Sequence, residues 1–290
     1  MISRHFRPAL AIAAIALCLI AAGCSRIRSE INETRKEINA RDSAPPVWSP
    51  PANESQHLAF GNPSNAELSD RNNFLILGDG HAISYNDSRG TANWAAWRTT
   101  RADLGERLPR PDFRPDPRLP AGFRRIEYFH YSGSGFDRGH LVPSADRFGN
   151  RKLNEETFYI TNIVPQTEAL NQFVWEKLES YSRSLVYRGN DLYTVAGCYG
   201  DKGRMKKRVT VPTNCWKVIV VLKAGAAIET VNASTRIIAV DIPNIDGIEN
   251  DGWEKYRTTV REIERRTGYD LLSALPAELQ ETLENSPDAN

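Results

Sequence analysis

The sequence predicts an α+β fold whose central sheet is mostly antiparallel and is flanked by helices. Short apolar runs bounded by Gly, Asn and Asp come first. A long segment follows in which apolar residues recur every three or four positions, and further apolar runs come after it. Strands on both sides of one central helix are typical of an α+β domain rather than of alternating βαβ units.

The N-terminus predicts export. Arg4, His5 and Arg7 precede an apolar run that ends at Gly23-Cys24, which is the pattern of a signal peptide over residues 1–24. The run is shorter than the roughly 20 residues of a membrane span. Ala21-Ala22-Gly23-Cys24 resembles a bacterial lipobox, in which Cys24 becomes a lipidated membrane anchor. The alternative is an ordinary signal peptide whose removal releases a soluble protein.

Residues 25–58 predict a flexible tether, because they are polar and carry Pro45, Pro46, Pro50 and Pro51. The folded domain is expected over residues 59–275. Residues 276–290 are expected to be a C-terminal tail in which Pro276 begins a last short helix.

The first half of the domain predicts mainly strands and loops. Residues 74–77 and 82–85 are strand candidates separated by Gly78-Asp79-Gly80, and residues 93–97 pack after them. Residues 107–123 contain five prolines, so a long ordered loop is expected there. Residues 125–131 form another strand candidate.

The second half carries the predicted helices. Residues 168–186 have Leu170, Val174 and Leu178 on one helical face, and residues 253–267 repeat this spacing until Gly268 ends the helix. The strand candidates are residues 157–164, 192–196, 208–211, 216–222 and 237–242. Cys198 and Cys215 flank two of these runs, and either a disulfide or two buried thiols fits this placement.

Charge is distributed unevenly. The formal net charge is +1, but residues 98–152 hold 12 Lys and Arg against 7 Asp and Glu. Such an excess attracts phosphate or forms a solvated surface. Asp146, Arg147, Arg151 and Lys152 either line the approach to a site or belong to ordinary surface.

Asp137-Arg138-Gly139-His140 is the first candidate for chemistry. A His with an ordinary pKa of about 6.5 is largely neutral at pH 7 and suits a general base. Asn171 and Glu179 lie eight residues apart, a little over two helical turns, so both can face one way. An amide oxygen and a carboxylate suit a hydrated hard cation. The alternatives are a structural His, a helix-capping Asn and a solvated Glu.

These motifs occur in the order that characterises one nuclease family. Asp137-Arg138-Gly139-His140 is followed by Thr161-Asn162-Ile163-Val164-Pro165-Gln166, by Leu170-Asn171-Gln172 and by Trp175-Glu176-Lys177-Leu178-Glu179. Over about residues 60–275 the chain resembles the DNA/RNA non-specific endonuclease family, which includes secreted sugar-non-specific nucleases and endonuclease G.

The resemblance implies a ββα-metal fold and a role for each matching residue. His140 is expected to be the general base and Asn171 the direct ligand of Mg²⁺, with Mn²⁺ as an alternative. Glu179 is expected to hold metal-bound water. Asn162 is expected to position His140 or the region of the scissile phosphate. Asp137 shapes the site, Arg138 lies near phosphate, and Arg110 faces the phosphate, with Arg114 as the alternative.

The implied function is a metal-dependent endonuclease that hydrolyses DNA and RNA to 5′-phosphate products without sequence preference. DNA, RNA and a proteinaceous inhibitor are the candidate partners, and the oligomeric state stays open. The expected location is the periplasmic or outer surface, through lipidated Cys24, or otherwise the medium. The alternatives are a catalytically weak DNA-binding or DNA-uptake lipoprotein and a phosphodiesterase for small nucleotides or lipids.

Overall fold

The computed structural model describes residues 55–290 and contains ten strands in that range. They are β1 (Phe74–Leu77), β2 (Ala82–Asn86), β3 (Thr91–Thr99), β4 (Asp137–His140), β5 (Ile163–Gln166), β6 (Asn190–Tyr199), β7 (Arg204–Met205), β8 (Val209–Thr210), β9 (Asn214–Lys223) and β10 (Ile237–Pro243). Six form one sheet in the order β1-β2-β3-β6-β9-β10, and every neighbouring pair is antiparallel. The predicted antiparallel sheet is therefore confirmed.

The helices of the described range lie mainly in its second half. They are α1 (Arg151–Glu156), α2 (Glu176–Tyr187), α3 (Val260–Thr267) and α4 (Ala277–Glu284). A π-helical segment, Ala169–Trp175, leads directly into α2. The central helix is confirmed, but its first two turns are wider than the 3.6-residue periodicity predicts.

Buried apolar residues cover both faces of the large sheet. On β9, Ile219 belongs to the cluster that contains Trp175 and Leu178, whereas Val218 and Val220 belong to the cluster on the other face. This alternation is that of a strand buried on both sides. The π-helical segment and α2 cover the first face, and α3 and α4 cover the second.

A third, smaller apolar cluster supports the two short hairpins, β4–β5 and β7–β8. We call it the rim cluster. It consists of Ile126, Tyr131, Ile160, Ile163, Met205, Val209 and Val211, with Phe113 and Phe136 packed against it.

Cys198 and Cys215 form a disulfide that joins β6 to β9. The two residues are directly opposite each other in the antiparallel register, and their Cα atoms are 4.0 Å apart. Of the two alternatives that the sequence left open, a disulfide or two buried thiols, the structure contains the disulfide.

Two strand predictions were wrong in part. Residues 125–131 contain a 3₁₀ turn, Tyr128–His130, instead of a strand. In this turn the backbone N–H of Glu127 donates to His130 Nδ1 at 2.9 Å, which favours the turn over strand pairing. Of residues 157–164, only the last two lie in β5.

The helix predicted over residues 253–267 is also divided. Trp253–Tyr256 is a 3₁₀ turn, and α3 begins only at Val260. The side chain of Thr259 accepts a hydrogen bond from the N–H of Glu262 at 3.1 Å, so it caps a new helix.

Both ends of the described range pack against the domain. Gln56–Leu58, which the sequence assigns to the tether, forms a 3₁₀ turn in which His57 and Leu58 are buried. In the C-terminal tail, the predicted last helix is present as α4, and Leu283 is buried. The signal peptide, the lipobox and residues 25–54 lie outside the described residues. Within residues 55–290, no helix has the length and apolar character needed to span a bilayer.

Candidate active site

The β4–β5 hairpin positions the predicted base. His140 is opposite Ile163, and Gly139 is opposite Val164. Because side chains alternate along a strand, Arg138 and His140 share one face. The ring of Phe113 contacts both: its centroid is 5.5 Å from that of His140 and 5.1 Å from the Arg138 guanidinium carbon.

His140 lies in an aromatic enclosure. Phe113 and Phe158 flank its imidazole, the latter at 5.0 Å between centroids in an edge-on arrangement. The Nε2 atom is buried and, among the described residues, has no hydrogen-bond partner. Burial, together with the nearby positive charge of Arg110, lowers the pKa of His140 to about 3. The imidazole is therefore neutral at pH 7 and able to accept a proton.

Arg110 and Arg138 line one cleft of about 700 Å³, together with Phe113, Tyr128 and Ser132. The Arg110 guanidinium carbon lies 5.3 Å from the centroid of Phe113. Arg114 instead lies over Tyr159, at 4.7 Å from its centroid. The geometry thus places Arg110, rather than Arg114, beside His140. Two guanidinium groups in one cleft provide donors for a phosphate.

Asn171 lies on the π-helical segment and contacts the start of β4. Its Nδ2 donates to Asp137 Oδ2 at 2.9 Å, and Gln172 Nε2 donates to the same oxygen at 2.8 Å. This hydrogen bond fixes the orientation of the amide. Among the described residues, Asn171 Oδ1 accepts no hydrogen bond. The amide oxygen of this half-buried Asn, near a carboxylate, is a donor set that fits a hydrated Mg²⁺ or Mn²⁺ ion.

Glu179 belongs to a different group of charges. Its Oε1 is 3.5 Å from Nζ of Lys217, which is buried on β9, 4.2 Å from the ring centroid of Trp175. Burial raises the pKa of Glu179 to about 7, although Lys217 and Arg183 oppose that rise. Among residues 55–290, no hydrogen bond or ion pair joins Glu179 to Asn171. The metal-water role of Glu179 stays a prediction.

Asn162 supports the segment that follows His140. Its Oδ1 accepts from the N–H of Val142 at 2.9 Å, and its Nδ2 donates to the carbonyl groups of Val142 and Thr157. The residue is fully buried and holds the backbone two residues beyond His140. Its role in positioning His140 or the region of the scissile phosphate stays a prediction.

Four charged residues that were candidates for the approach do not line the cleft. Asp146 is buried and accepts from the indole N–H of Trp97 at 3.1 Å. Arg147 is also buried and donates to the carbonyl of Gly80. Arg151 and Lys152 are exposed, and Lys152 pairs with Asp79. Both alternatives, the approach to the site and ordinary surface, were therefore wrong for Asp146 and Arg147, which are buried.

Several residues around the site were not among those expected from the sequence. Phe113 and Phe158 gave no signal because they lie far from His140 in the chain. Arg183 opposes the rise in the pKa of Glu179 and lies one helical turn beyond it. This i,i+4 spacing of opposite charges could have indicated the interaction from the sequence. Lys217 was also detectable, as a single charge inside the apolar run 216–222.

A second cluster of carboxylates lies away from the cleft. The ligand oxygens of Glu264, Asp270 and Glu284 lie within 4.8 Å of one another. Arg261 already pairs with Glu264 and Glu284. This cationic partner makes the cluster an ion-pair network between α3 and α4, and we assign no metal to it.

Comparisons with known proteins agree with this geometry. Residues 58–278 match the family model described as DNA/RNA non-specific endonuclease. A protein named nuclease, from Nostoc sp., is 42% identical over 277 residues, covering 94% of this chain and 96% of that protein. Mitochondrial endonuclease G of Homo sapiens is 30% identical over 225 residues, covering 72% of this chain and 70% of that protein.

A solved structure supports the fold. The complex of EndoG with EndoGI aligns with a TM-score of 0.65 at 20% identity, covering 80% of this chain and 96% of that one. The fold is thus of the ββα-metal type, with β4 and β5 as the strands and the π-helical segment with α2 as the helix. With the match extending over residues 58–278, this chain belongs to the DNA/RNA non-specific endonuclease family.

Proposed function

We propose that this protein is a metal-dependent endonuclease that hydrolyses DNA and RNA, without sequence preference, to products with 5′-phosphates. The observation that carries the proposal is the cleft itself. Arg110 and Arg138 line it, and the ring of Phe113 packs against the neutral, half-buried imidazole of His140. Asp137, on the same strand as His140, orients the amide of Asn171. Family membership gives the substrate class.

His140 is the proposed general base. Its neutral imidazole accepts a proton from the attacking water, while Arg110 and Arg138 donate hydrogen bonds to the phosphate oxygens. Aromatic rings around His140 exclude bulk water, which keeps the imidazole neutral. Sequence indifference follows because these groups contact the backbone and not the base edges.

Asn171 is the proposed ligand of Mg²⁺, with Mn²⁺ as a substitute, and Asp137 orients its amide. The cation supplies charge stabilisation at the phosphoryl group and the leaving oxygen. Glu179 is proposed to hold a metal-bound water, as the resemblance implies, and Asn162 to fix the backbone behind His140.

Plasmid nicking tests the proposal. We expect the purified protein to cut plasmid DNA and long RNA with Mg²⁺, to stop in EDTA, and to leave ends that a kinase labels only after phosphatase treatment. Binding without cleavage at any metal concentration would favour a DNA-binding or uptake lipoprotein. Equal turnover of bis(p-nitrophenyl) phosphate and long DNA would favour a small-molecule phosphodiesterase.

We also propose export and a lipid anchor on Cys24, from the N-terminal pattern alone. Mass spectrometry of the mature N-terminus tests this, with Cys24→Ser as the comparison. A diacylglyceryl mass on Cys24 is expected, and an unmodified N-terminus at another residue would indicate an ordinary signal peptide. The inhibitor protein stays a prediction.

A further inference from the structure

Two exposed aromatic residues lie at the rim of the cleft. Tyr128 is 55% exposed and Phe129 49% exposed, whereas large apolar side chains in this domain are mostly buried. Tyr128 lines the same cleft as Arg110 and Arg138. The ring of Phe129 stacks on that of the buried His130 at 4.3 Å between centroids, which holds it in place. The rim thus offers aromatic faces to solvent within reach of the phosphate site.

A basic hairpin is attached to these aromatic residues. β7 and β8 are joined through Lys206, Lys207 and Arg208. Nζ of Lys206 donates to the carbonyl of Phe129 at 2.6 Å. Among residues 55–290, the side chains of Lys207 and Arg208 have no hydrogen-bond or ion-pair partner, and both are exposed. Their charges are therefore available to an anion from outside.

The turn of this hairpin is strained. Lys206 has a φ of 44° and Lys207 a φ of 57°, both in the left-handed region. β-Turns with both central residues in this region favour Asn-Gly, because other side chains destabilise the conformation. Two lysines at these positions are consistent with a functional demand for charge at the tip.

The rim cluster fixes the hairpin relative to the catalytic strand. Met205 and Val209 of the hairpin belong to the same cluster as Ile163, which is opposite His140 in the β4–β5 register. Ile126 and Tyr131, on either side of the aromatic pair, belong to it as well. The aromatic faces, the lysine tip and His140 therefore share one rigid support.

From this placement we propose that Tyr128, Phe129, Lys207 and Arg208 form a track for a single strand of nucleic acid. Unpaired bases stack on the two rings, and phosphates contact the two cations. This inference rests on the proposed nuclease function. It favours a single strand over a duplex, because bases inside a duplex are already stacked on one another. It is also indifferent to sequence, because every base has a face that can stack.

Binding to a fluorescent single-stranded oligonucleotide, measured by anisotropy in EDTA, tests the track without depending on cleavage. Tyr128→Ala combined with Phe129→Ala should raise the Kd about 5- to 100-fold, as loss of stacking does elsewhere. Binding to a blunt duplex of the same length should change much less. Tyr187→Ala is the matched control, since Tyr187 is 57% exposed at the end of α2.

The charge at the tip is tested by salt dependence. Lys207→Gln should weaken binding at low salt and reduce the slope of log K against log salt by about one. The aromatic double variant should leave that slope unchanged. Lys223→Gln, an exposed lysine at the far end of β9, is the control. Lys207→Gly should also weaken binding while it raises the Tm, because glycine tolerates the left-handed conformation.

Three results would overturn the track. They are an unchanged single-strand Kd in the aromatic double variant, an equal loss of duplex and single-strand binding, and full affinity in the stabilised Lys207→Gly variant. Failure of the proposed function is separate. It would appear as wild-type protein that binds the oligonucleotide but does not cut it when Mg²⁺ is restored.

Discussion

At the scale of single residues, the proposed chemistry depends on how His140 is kept neutral. Phe113 and Phe158 flank its ring and partly desolvate it, and Arg110 adds a repulsive positive charge. Both effects lower the pKa, since both disfavour the protonated imidazole. A base that stays neutral well below pH 6.5 remains active where an ordinary histidine would be protonated.

The pH profile of kcat is the corresponding prediction. Protonation of Glu179, whose pKa is raised to about 7, would add its own acid limb, so the profile is measured in a Glu179→Gln background. There the neutral form of His140 is the active one, and its lowered pKa should place the acid limb well below pH 6.5. Arg110→Gln should move that limb upward, and Arg114→Gln should leave it in place. Initial rates on long DNA, with the fold checked by circular dichroism at each pH, measure this. An acid limb near pH 6.5 that does not move in the Arg110→Gln variant would contradict this prediction.

Gly139 offers a steric prediction. A Cβ there would lie 2.0 Å from Gln166 Oε1 and 2.5 Å from its Cδ, and Gln166 is fully buried. Gly139→Ala should therefore lower the free energy of unfolding by about 1–3 kcal/mol and reduce kcat, because the neighbouring His140 shifts. The additional substitution Gln166→Ala removes the clashing side chain and should restore part of the stability and part of kcat. Strictly additive losses in the double variant would show that the two side chains do not compete for space.

At the scale of elements, apolar patterns predicted the sheet but not the turns. Runs such as 216–222 and 237–242 became β9 and β10, because burial on both faces favours continuous apolar strands. Residues 125–131 look similar in sequence, yet Ile126 and Tyr131 are buried while Tyr128 and Phe129 are exposed. Neither strand alternation nor a helical period produces that pattern of burial, so the exposed pair of Tyr128 and Phe129 could not be predicted from periodicity.

The candidate site was predictable only through its motifs. The order of Asp137, His140 and Asn171 indicated the chemistry, but the spacing of Asn171 and Glu179 assumed a regular helix. The π-helical segment changes the angular relation between the two side chains. This segment packs against the sheet, and its Asn171 is bonded to Asp137, contacts that the local sequence does not reveal. The aromatic enclosure of His140 depends on contacts distant in sequence, which a local pattern does not contain.

The ion pair between Lys217 on β9 and Glu179 on α2 leads to a prediction for stability. Lys217→Met leaves the Glu179 carboxylate without its partner, which should cost about 3–5 kcal/mol at pH 8. The pKa of Glu179, already raised to about 7, should rise further. The folded state then binds its proton more tightly than the unfolded state, so the deficit should shrink as pH falls from 8 to 5.

Urea unfolding at both pH values measures that deficit, with Lys223→Met as an exposed control. Glu179→Gln in the Lys217→Met background should remove most of the pH dependence, because no carboxyl remains to titrate at that position. An equal deficit at pH 8 and pH 5 would mean that Lys217 contributes through packing on Trp175 rather than through its charge.

At the scale of the whole molecule, three apolar clusters among residues 55–290 support different parts of the fold. Two hold the six-stranded sheet between its helices, and the rim cluster holds the β4–β5 hairpin against the loop that carries Arg110 and Phe113. The candidate site therefore lies on a two-stranded hairpin outside the six-stranded sheet, beside a cleft of about 700 Å³. That arrangement suits an enzyme that acts within a chain rather than on a small enclosed substrate.

The most direct test of the account compares wild-type, His140→Ala and Asn171→Ala proteins under single-turnover conditions on the same DNA, with a titration of Mg²⁺. His140→Ala should bind DNA normally and cut about 10²- to 10⁴-fold more slowly at every metal concentration. Asn171→Ala should need far more Mg²⁺ for the same rate. A His140→Ala protein that cut as fast as the wild type would contradict the mechanism.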